Sequence, residues 1–417
     1  LEQEELLPHL FRTEFRKITA VLCKVFGAAD IETAEDIASE TFTSALETWP
    51  YKGMPENPVA WLYSVAKNKA RNHIARHAVF SNKVSPYVSG QFSESSQPDI
   101  DLSSQNIRDS QLQMLFAICH PVIPPESQVG LALRILCGFG IEEIANAFLT
   151  NKETINKRLF RARQKLREEN IPIAFPGDEE VDKRLQTVLR TIYLLYNEGY
   201  YSESQDALLR EDLCLEAMRL AFMLIENEKT NQPTVNALFS LMCFHSSRFK
   251  ARQNEHGEMI LYNDQDESLW DQALIAQGVF HLKEASRGTE ISKYHLEAGI
   301  AFWHTKKADT AEKWENILQL YNHLLQLEYS PVAALNRTFA LSKVHSKQIA
   351  IVEAEKLKLI NNRFYFSLLG ELYMDIDSEK AKSFFDAALL LAKSKEDRKL
   401  ISEKLQSLAG LRKSIDS

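Results

Sequence analysis

Residues 135–168 read ILCGFGIEEIANAFLTNKETINKRLFRARQKLRE and carry two helical periods separated by a short polar break. Ile141, Ile144, Ala145 and Phe148 recur at helical spacing in the first, and Ile155, Leu159, Ala162 and Leu166 in the second. The link LTNK is short, and Thr150 or Asn151 can cap the second helix by accepting from its free N–H groups. Small Ala145 lets the two helices cross closely. This pattern predicts a helix-turn-helix, a geometry that lays its second helix in a DNA major groove.

Charge agrees with that geometry. Lys152, Lys157, Arg158, Arg161, Arg163, Lys165 and Arg167 stand against Glu153 along the second helix. A local run this basic in a chain of net charge −8 suits a polyphosphate partner. Lys152, Thr154, Asn156 and Lys157, near the helix start, can reach base edges. Arg158 and the later Arg161, Arg163 and Lys165 suit phosphates, which give position without sequence information. An ordinary helical hairpin with a solvated basic face fits the same residues taken alone.

Gly 14 and Pro 13 are low for 417 residues, which favours helices throughout. Hydrophobic residues at 45% and charged residues at 25% match soluble globular proteins. No stretch reaches the roughly 20 apolar residues of a membrane span, and no signal-peptide pattern opens the sequence. Cys23, Cys119, Cys137, Cys214 and Cys243 are scattered without a CxxC pair. A reducing cytoplasm is therefore expected, with no disulfide framework or zinc ribbon. His73 and His77 are four apart but lack an acid or cysteine to complete a metal site, and Cys119-His120 lacks a second pair. No metal or cofactor is expected.

From the start, LLPHLFRTEFRKITAVLCKVFG (6–27) predicts a helix with Leu10, Phe11, Phe15, Ile18, Leu22 and Phe26 on one stripe, stopped by Gly27. IETAEDIASETFTSALETW (31–49) predicts a second, with Ile37, Phe42, Ala45, Leu46 and Trp49 buried. Its acids Glu32, Glu35, Asp36, Glu40 and Glu47 repel DNA and are expected to face protein or water. WPYKGMPENP (49–58) reads as a loop, and Asn57-Pro58 as a helix start. The helix that follows presents Lys67, Lys69, Arg71 and Arg76 with Asn68, Asn72, His73 and His77, without acids. Residues 78–108 are Ser-rich, show no period and read as a flexible linker. Residues 109–170 then form a four-helix unit.

At this point the order of parts is similar to a known family. AEDIASETF (34–42), the following WP and NPVAWLYSVAKNKARNHIARH (57–77) resemble region 2 of the extracytoplasmic-function sigma factors of bacterial RNA polymerase. IEEIA with the later RLFRARQKL resembles their region 4. The resemblance covers the first 170 residues, with both blocks in order. It implies a sigma region 2 at 1–77, a linker at 78–108 and a region 4 helix-turn-helix at 109–170. It further implies that Glu35, Asp36 and Glu40 dock on a coiled coil of core polymerase. Tyr51, Met54, Asn57 and Trp61 would take a flipped base of the melted downstream element, and Lys67, Asn68, Lys69 and Arg71 its phosphates. Region 4 would read the upstream element as duplex. The polymerase supplies the chemistry, so no enzyme activity is implied.

IPIAFPGDEE (171–180) reads as a hinge, and 181–417 as helix after helix. Leu369, Gly370 and Tyr373, followed by Ala381, Phe385 and Ala388, fit the two helices of a tetratricopeptide-type repeat. Residues 331–357 follow the same plan about 33 residues earlier, with Phe339 and Ala340 matching Leu372 and Tyr373. The expected fold is all-α: two small modules tethered by slack chain, then a solenoid at 171–417 that binds protein or a ligand and regulates the rest. A family subgroup carries such an extension in place of a separate anti-sigma protein. Within it, 256–272, with Tyr262 and Trp270, is a polar loop able to contact the sigma regions or a ligand. A stand-alone helix-turn-helix regulator with a tetratricopeptide effector domain is the alternative, and it leaves the acidic helix and the 49–58 loop without a task.

Overall fold

The structure, a computed structural model, describes residues 3–84, 100–148, 150–200, 209–255, 260–392 and 395–415. Side chains are described over slightly narrower spans, which leave out His77. The described residues are helical and contain no β-strand, so the fold is all-α. Two compact units divide the chain, Leu1–Leu195 and Tyr196–Ser417.

The first unit is built on α1 (Gln3–Phe26), which packs on α2 (Ile31–Lys52), α3 (Pro58–Val84) and α4 (Ser104–Ile118). Phe15, Ile18, Val21 and Leu22 of α1 are fully buried, which explains why this helix is the hub. It ends as the sequence requires, with Gly27 at φ 83 donating to the Cys23 carbonyl at 2.8 Å. Then α5 (Pro125–Leu131) runs on through a π-helical turn, Ala132–Leu136, and is followed by α6 (Ile141–Ala147) and α7 (Lys152–Glu168). Ile155, Leu159, Ala162 and Leu166 are the buried stripe of α7, and Asn151 Oδ1 caps it by accepting from the Thr154 N–H at 2.8 Å. Gly130 on α5 meets Leu159 of α7, close enough that an added Cβ would stand 3.3 Å from it.

Several ends differ from expectation. α2 continues to Lys52, so Trp49, Pro50 and Tyr51 are helical and the loop shrinks to 53–57. Pro50 lies inside the helix and gives no N–H to the preceding turn, and three residues later Gly53 at φ 79 closes the helix by donating to the Trp49 carbonyl at 3.0 Å. Leu46 is 59% exposed, not buried. Helix also takes both described ends of the stretch read as a linker, to Val84 and from Ser104; residues 85–99 lie outside the described residues.

The modules that the tether was expected to join are nevertheless in contact. α1 packs on α4 and on the π-helical turn, so the two expected modules form one unit. The apolar faces buried on α1 and α4, and long-range charged contacts described below, join them, and no local pattern reveals either. α8 (Asp178–Tyr200) also packs into this unit by its first part. Val181, Leu185, Val188, Leu189 and Ile192 are buried, Arg184 donates to the Phe116 carbonyl at 2.6 Å, and Thr191 donates to Gln128 Oε1 at 2.7 Å.

The second unit continues with α9 (Glu211–Ile225), α10 (Pro233–Ser246), α11 (Phe249–Arg252) and α12 (Gln272–Ala285). α10 is its hub, packing on α9, α12 and the next helix, α13 (Lys293–Trp303). There follow α14 (Ala311–Leu327), α15 (Pro331–Val344), α16 (Lys347–Leu357), α17 (Arg363–Tyr373), α18 (Ser378–Leu391) and α19 (Lys395–Ile415). From α13 onward each helix packs on the next in the chain. A Cβ at Gly370 would stand 2.7 Å from the ring of fully buried Phe385, so glycine sets the close crossing of α17 and α18. No described helix is long and apolar enough to cross a membrane.

Candidate nucleic-acid interface

The candidate site has two parts in the first unit, one at the α2–α3 connection and one on α7. At the connection, Asn57 Oδ1 accepts from the Ala60 N–H at 3.0 Å and starts α3, with Pro58 at its first position. Around this start stand Tyr51, 89% exposed, and Met54, also exposed. Trp61 is half-buried and meets Trp49 edge-on at 5.4 Å between ring centres. The Trp49 indole Nε1 is buried without a hydrogen-bond partner among the described residues. These apolar and aromatic groups, with Asn57 beside them, have the composition of a base-accepting surface. Farther along α3, Asn68 and Arg71 are exposed, while Lys67 and Lys69 are half-buried. Lys69 pairs with Glu40 at 3.2 Å, so one expected phosphate contact and one expected polymerase contact engage each other here.

On α7, Lys152, Thr154, Asn156, Lys157 and Arg161 are exposed together with Phe160. Lys152 pairs with Glu142 at 2.8 Å and Lys157 with Glu153 at 2.6 Å, both at the surface. Arg158 is more constrained, 3.1 Å from Glu126 and 5.5 Å from the centre of the Phe148 ring. Lys165 pairs with Glu169 at 2.9 Å. Arg163 faces inward: its guanidinium is on Glu35 and within 3.7 Å of Glu32.

Glu35 is therefore placed differently from the exposed acidic face expected of it. It is 5% exposed and bound by Arg163 and by Arg134, whose Nε donates to it at 2.7 Å. Asp36 and Glu40 are exposed. The buried residues of α2 are Ile31, Ala34, Glu35, Ile37, Ala38, Thr41, Phe42 and Ala45, so Glu35 occupies a core-stripe position. That spacing was a signal available in the sequence. Arg134 and Arg12, which complete the contacts of this region, carried no local signal, and Arg167, read as part of the basic run, donates to the Ala29 carbonyl.

In the second unit, residues 256–259 of the stretch 256–272 lie outside the described residues, and the remainder forms two short 3-10 turns, Tyr262–Asp264 and Glu267–Leu269. Tyr262 accepts from Lys313 Nζ at 3.0 Å and donates to the Lys306 carbonyl at 3.2 Å, with the Arg248 guanidinium 5.4 Å from its ring centre. Trp270 is 4% exposed.

Comparison with known proteins follows this geometry. Uncharacterized protein R00370 of Rhizobium meliloti (strain 1021) is 31% identical over 386 residues, covering 91% of this chain and 91% of that protein. The chain belongs to the family of that protein. Within this family member, residues 10–79 match sigma-70 region 2, the part that contains Glu35, the α2–α3 connection and the basic face of α3. Residues 184–286 match a family of unknown function (DUF6596). RNA polymerase sigma-H factor of Pseudomonas aeruginosa is 28% identical over 168 residues, 39% of this chain and 77% of that protein. Region 2 and the sigma-H likeness together support a sigma-70 family factor. No solved structure matches the chain.

Proposed function

We propose that the chain is a sigma factor of the extracytoplasmic-function type, which brings core RNA polymerase to specific promoters in the cytoplasm. The carrying observation is the aromatic and apolar group at the α2–α3 connection, set beside a basic helix within the matched region 2. Tyr51, Met54, Asn57 and Trp61 receive a flipped base of the melted downstream element; Lys67, Asn68, Lys69 and Arg71 hold its phosphates. Lys152, Thr154, Asn156 and Lys157 read the upstream duplex, while Arg158, Arg161, Arg163 and Lys165 hold its backbone. Asp36 and Glu40, with Glu35 once freed, dock on polymerase through complementary charge. No side chain is assigned a catalytic role, since the polymerase makes the RNA.

The helices from α13 onward form a tetratricopeptide-like stack that regulates the factor by binding a protein or a ligand. Supporting this are the chain-neighbour packing of these helices and the Gly370–Phe385 crossing. The functional division follows the sequence reading, with region 2 at 1–77, the linker at 78–108, region 4 at 109–170 and the extension at 171–417.

The test is run-off transcription with purified protein, core polymerase and genomic promoter fragments. Specific initiation that depends on the protein is expected, with weak binding of duplex in the absence of polymerase. Tight specific duplex binding without polymerase would instead favour the stand-alone regulator.

A further inference from the structure

Three cationic side chains of the second unit are buried, and phenol rings link them. Arg248 is 8% exposed and Lys313 of α14 is 2% exposed; Arg252 of α11 is buried as well. The Arg252 guanidinium stands 3.9 Å from the Tyr200 ring centre, and Arg248 reaches the Tyr200 hydroxyl at 3.5 Å. Arg248 also lies 5.4 Å from the Tyr262 ring centre, and Lys313 Nζ lies 5.0 Å from that same centre. Lys313 Nζ donates to the Tyr262 hydroxyl and, at 2.7 Å, to the Lys306 carbonyl. These acceptors are neutral, and among the described residues no carboxylate pairs with Arg248 or Lys313. Glu267 and Asp309 act on Lys313 only through space, and both are exposed. Asp309 is itself engaged by Lys343 at 3.0 Å and by the Trp314 indole. Burial pushes the Lys313 pKa down; Asp309 opposes that, and Arg248 adds to the lowering. Arg248 Nε, His245 Nδ1 and Trp270 Nε1 are buried without a hydrogen-bond partner among the described residues. The His245 ring lies 4.5 Å from that of Tyr200, and the rings of His304 and Trp270 lie 5.2 and 6.2 Å from that of Tyr262.

We propose that Arg248 and Lys313, with the Tyr262 ring between them, form a binding site for a phosphate dianion or for a small metabolite that carries one. A buried cation without a counter-ion is costly, and ring faces offset only part of that cost. Arg248 and Lys313 both stand within 5.4 Å of one ring centre, so a single anion beside that ring is attracted by both. Two positive charges call for a dianion; a carboxylate would leave one of them uncompensated. The hydrogen-bonding groups left over agree with this. Arg248 Nε and Trp270 Nε1 can only donate, and His245 Nδ1 donates in one tautomer. Phosphate oxygens accept from several directions at once, and such charge-assisted bonds are the strong ones. A nucleic-acid backbone cannot reach side chains buried to this degree, whereas a small ion can enter by a local opening of the 3-10 turns. All these groups but Lys313 and His304 fall within residues 184–286, the stretch that matches a family of unknown function. The proposal gives that stretch a ligand class, and it does not depend on the promoter reading of the first unit.

The test is isothermal titration of the full chain with inorganic phosphate, adenosine monophosphate and acetate at matched ionic strength, with thermal unfolding measured in the same solutions. Expected is one phosphate bound per chain with a Kd of about 1 mM or tighter, and acetate bound at least about tenfold more weakly. Phosphate should also raise the melting temperature beyond what sodium chloride of equal ionic strength does. Arg248→Gln should weaken phosphate binding by about tenfold or more. Lys313→Met, which keeps the length of the side chain and removes its charge, should do the same and decides the matter if Arg248→Gln does not fold. Lys250→Gln, at an exposed neighbour on α11, is the charge control and should bind as the unsubstituted chain does. Adenosine monophosphate bound more tightly than inorganic phosphate would name a nucleotide as the source of the dianion, and equal binding the free ion. The site is overturned if neither phosphate compound binds, or if both variants bind as the unsubstituted chain does, since the cations are then neutralised within the protein. Acetate bound as well as phosphate overturns the dianion.

Discussion

Two arginines one turn apart on α7 meet different surroundings, and that difference sets what each contributes. Arg161 is exposed, whereas Arg158 is held by Glu126 and the face of Phe148. Arg161→Ala is therefore expected to reduce promoter binding by the polymerase complex and to lower the slope of log affinity against log salt by about 1. Arg158→Ala is expected to change that slope less, because its charge is already neutralised locally. Affinity measured across a salt series separates the two, and an equal slope for Arg161→Ala and the unsubstituted chain would place that residue off the DNA. Glu35 shows why residue-level reading from sequence falls short. Its helical register with Ile31, Ala34 and Ala38 marked it as inward-facing, but its charge marked it as surface. Arg134 and Arg163, about a hundred residues away in the chain, decide the conflict.

Half-buried histidines in the second unit give a pH dependence of known sign. His304 is pushed down to about 3 from an ordinary 6.5 by burial first, then by the charges of Arg248 and Lys313. His245 is also lowered, again mainly by burial. The native imidazoles stay neutral where the unfolded ones take protons. Their contribution to stability is therefore complete above pH 6.5, falls as pH falls, and for His304 levels off near pH 3. Urea unfolding of the second unit between pH 7.5 and pH 4 is expected to show stability falling by up to about 1.4 kcal/mol per pH unit for each such group. His304→Phe should flatten that dependence; an unaltered slope would mean that other groups produce it.

At the scale of elements, local chemistry was legible wherever it acts within one turn. Gly27 and Asn57 mark helix ends as their residue types require, and Asn151 caps α7. The apolar stripe of α7 is the buried one. The run from Trp49 to Tyr51 was misread because proline there suggests a loop, whereas α2 carries Pro50 within its helix and stops only at Gly53. Crossings between helices are tighter constraints, and Gly370 makes one testable. Gly370→Ala must move the ring of Phe385, and a loss of about 1–3 kcal/mol is expected in thermal unfolding of the second unit. Gly177→Ala, whose added Cβ meets nothing within 4 Å, is the neutral comparison. Equal melting temperatures for the two would show that α17 and α18 can separate without penalty.

The whole molecule was the least legible scale. The all-α class follows from helical periods and the scarcity of glycine and proline, and the two sequence blocks announced the expected modules. That the blocks would close on each other depends on side chains far apart in sequence, which no periodicity encodes. The reach of the first unit into α8 was hidden for the same reason, since 171–180 reads as a hinge while Arg184 and Thr191 bond back to Phe116 and Gln128. A chain ended after Leu195 is expected to melt several degrees higher than one ended after Glu180, which lacks both bonds and the apolar face of α8. If the shorter chain melts as high, α8 is not part of that unit's core. The five tryptophans of the sequence fall as Trp49 and Trp61 in the first unit, with Trp270, Trp303 and Trp314 in the second. Since the first two touch each other near Tyr51 and Met54, replacing the other three by phenylalanine leaves an emission signal confined to this corner, a built-in optical gauge of what docks there that needs no dye.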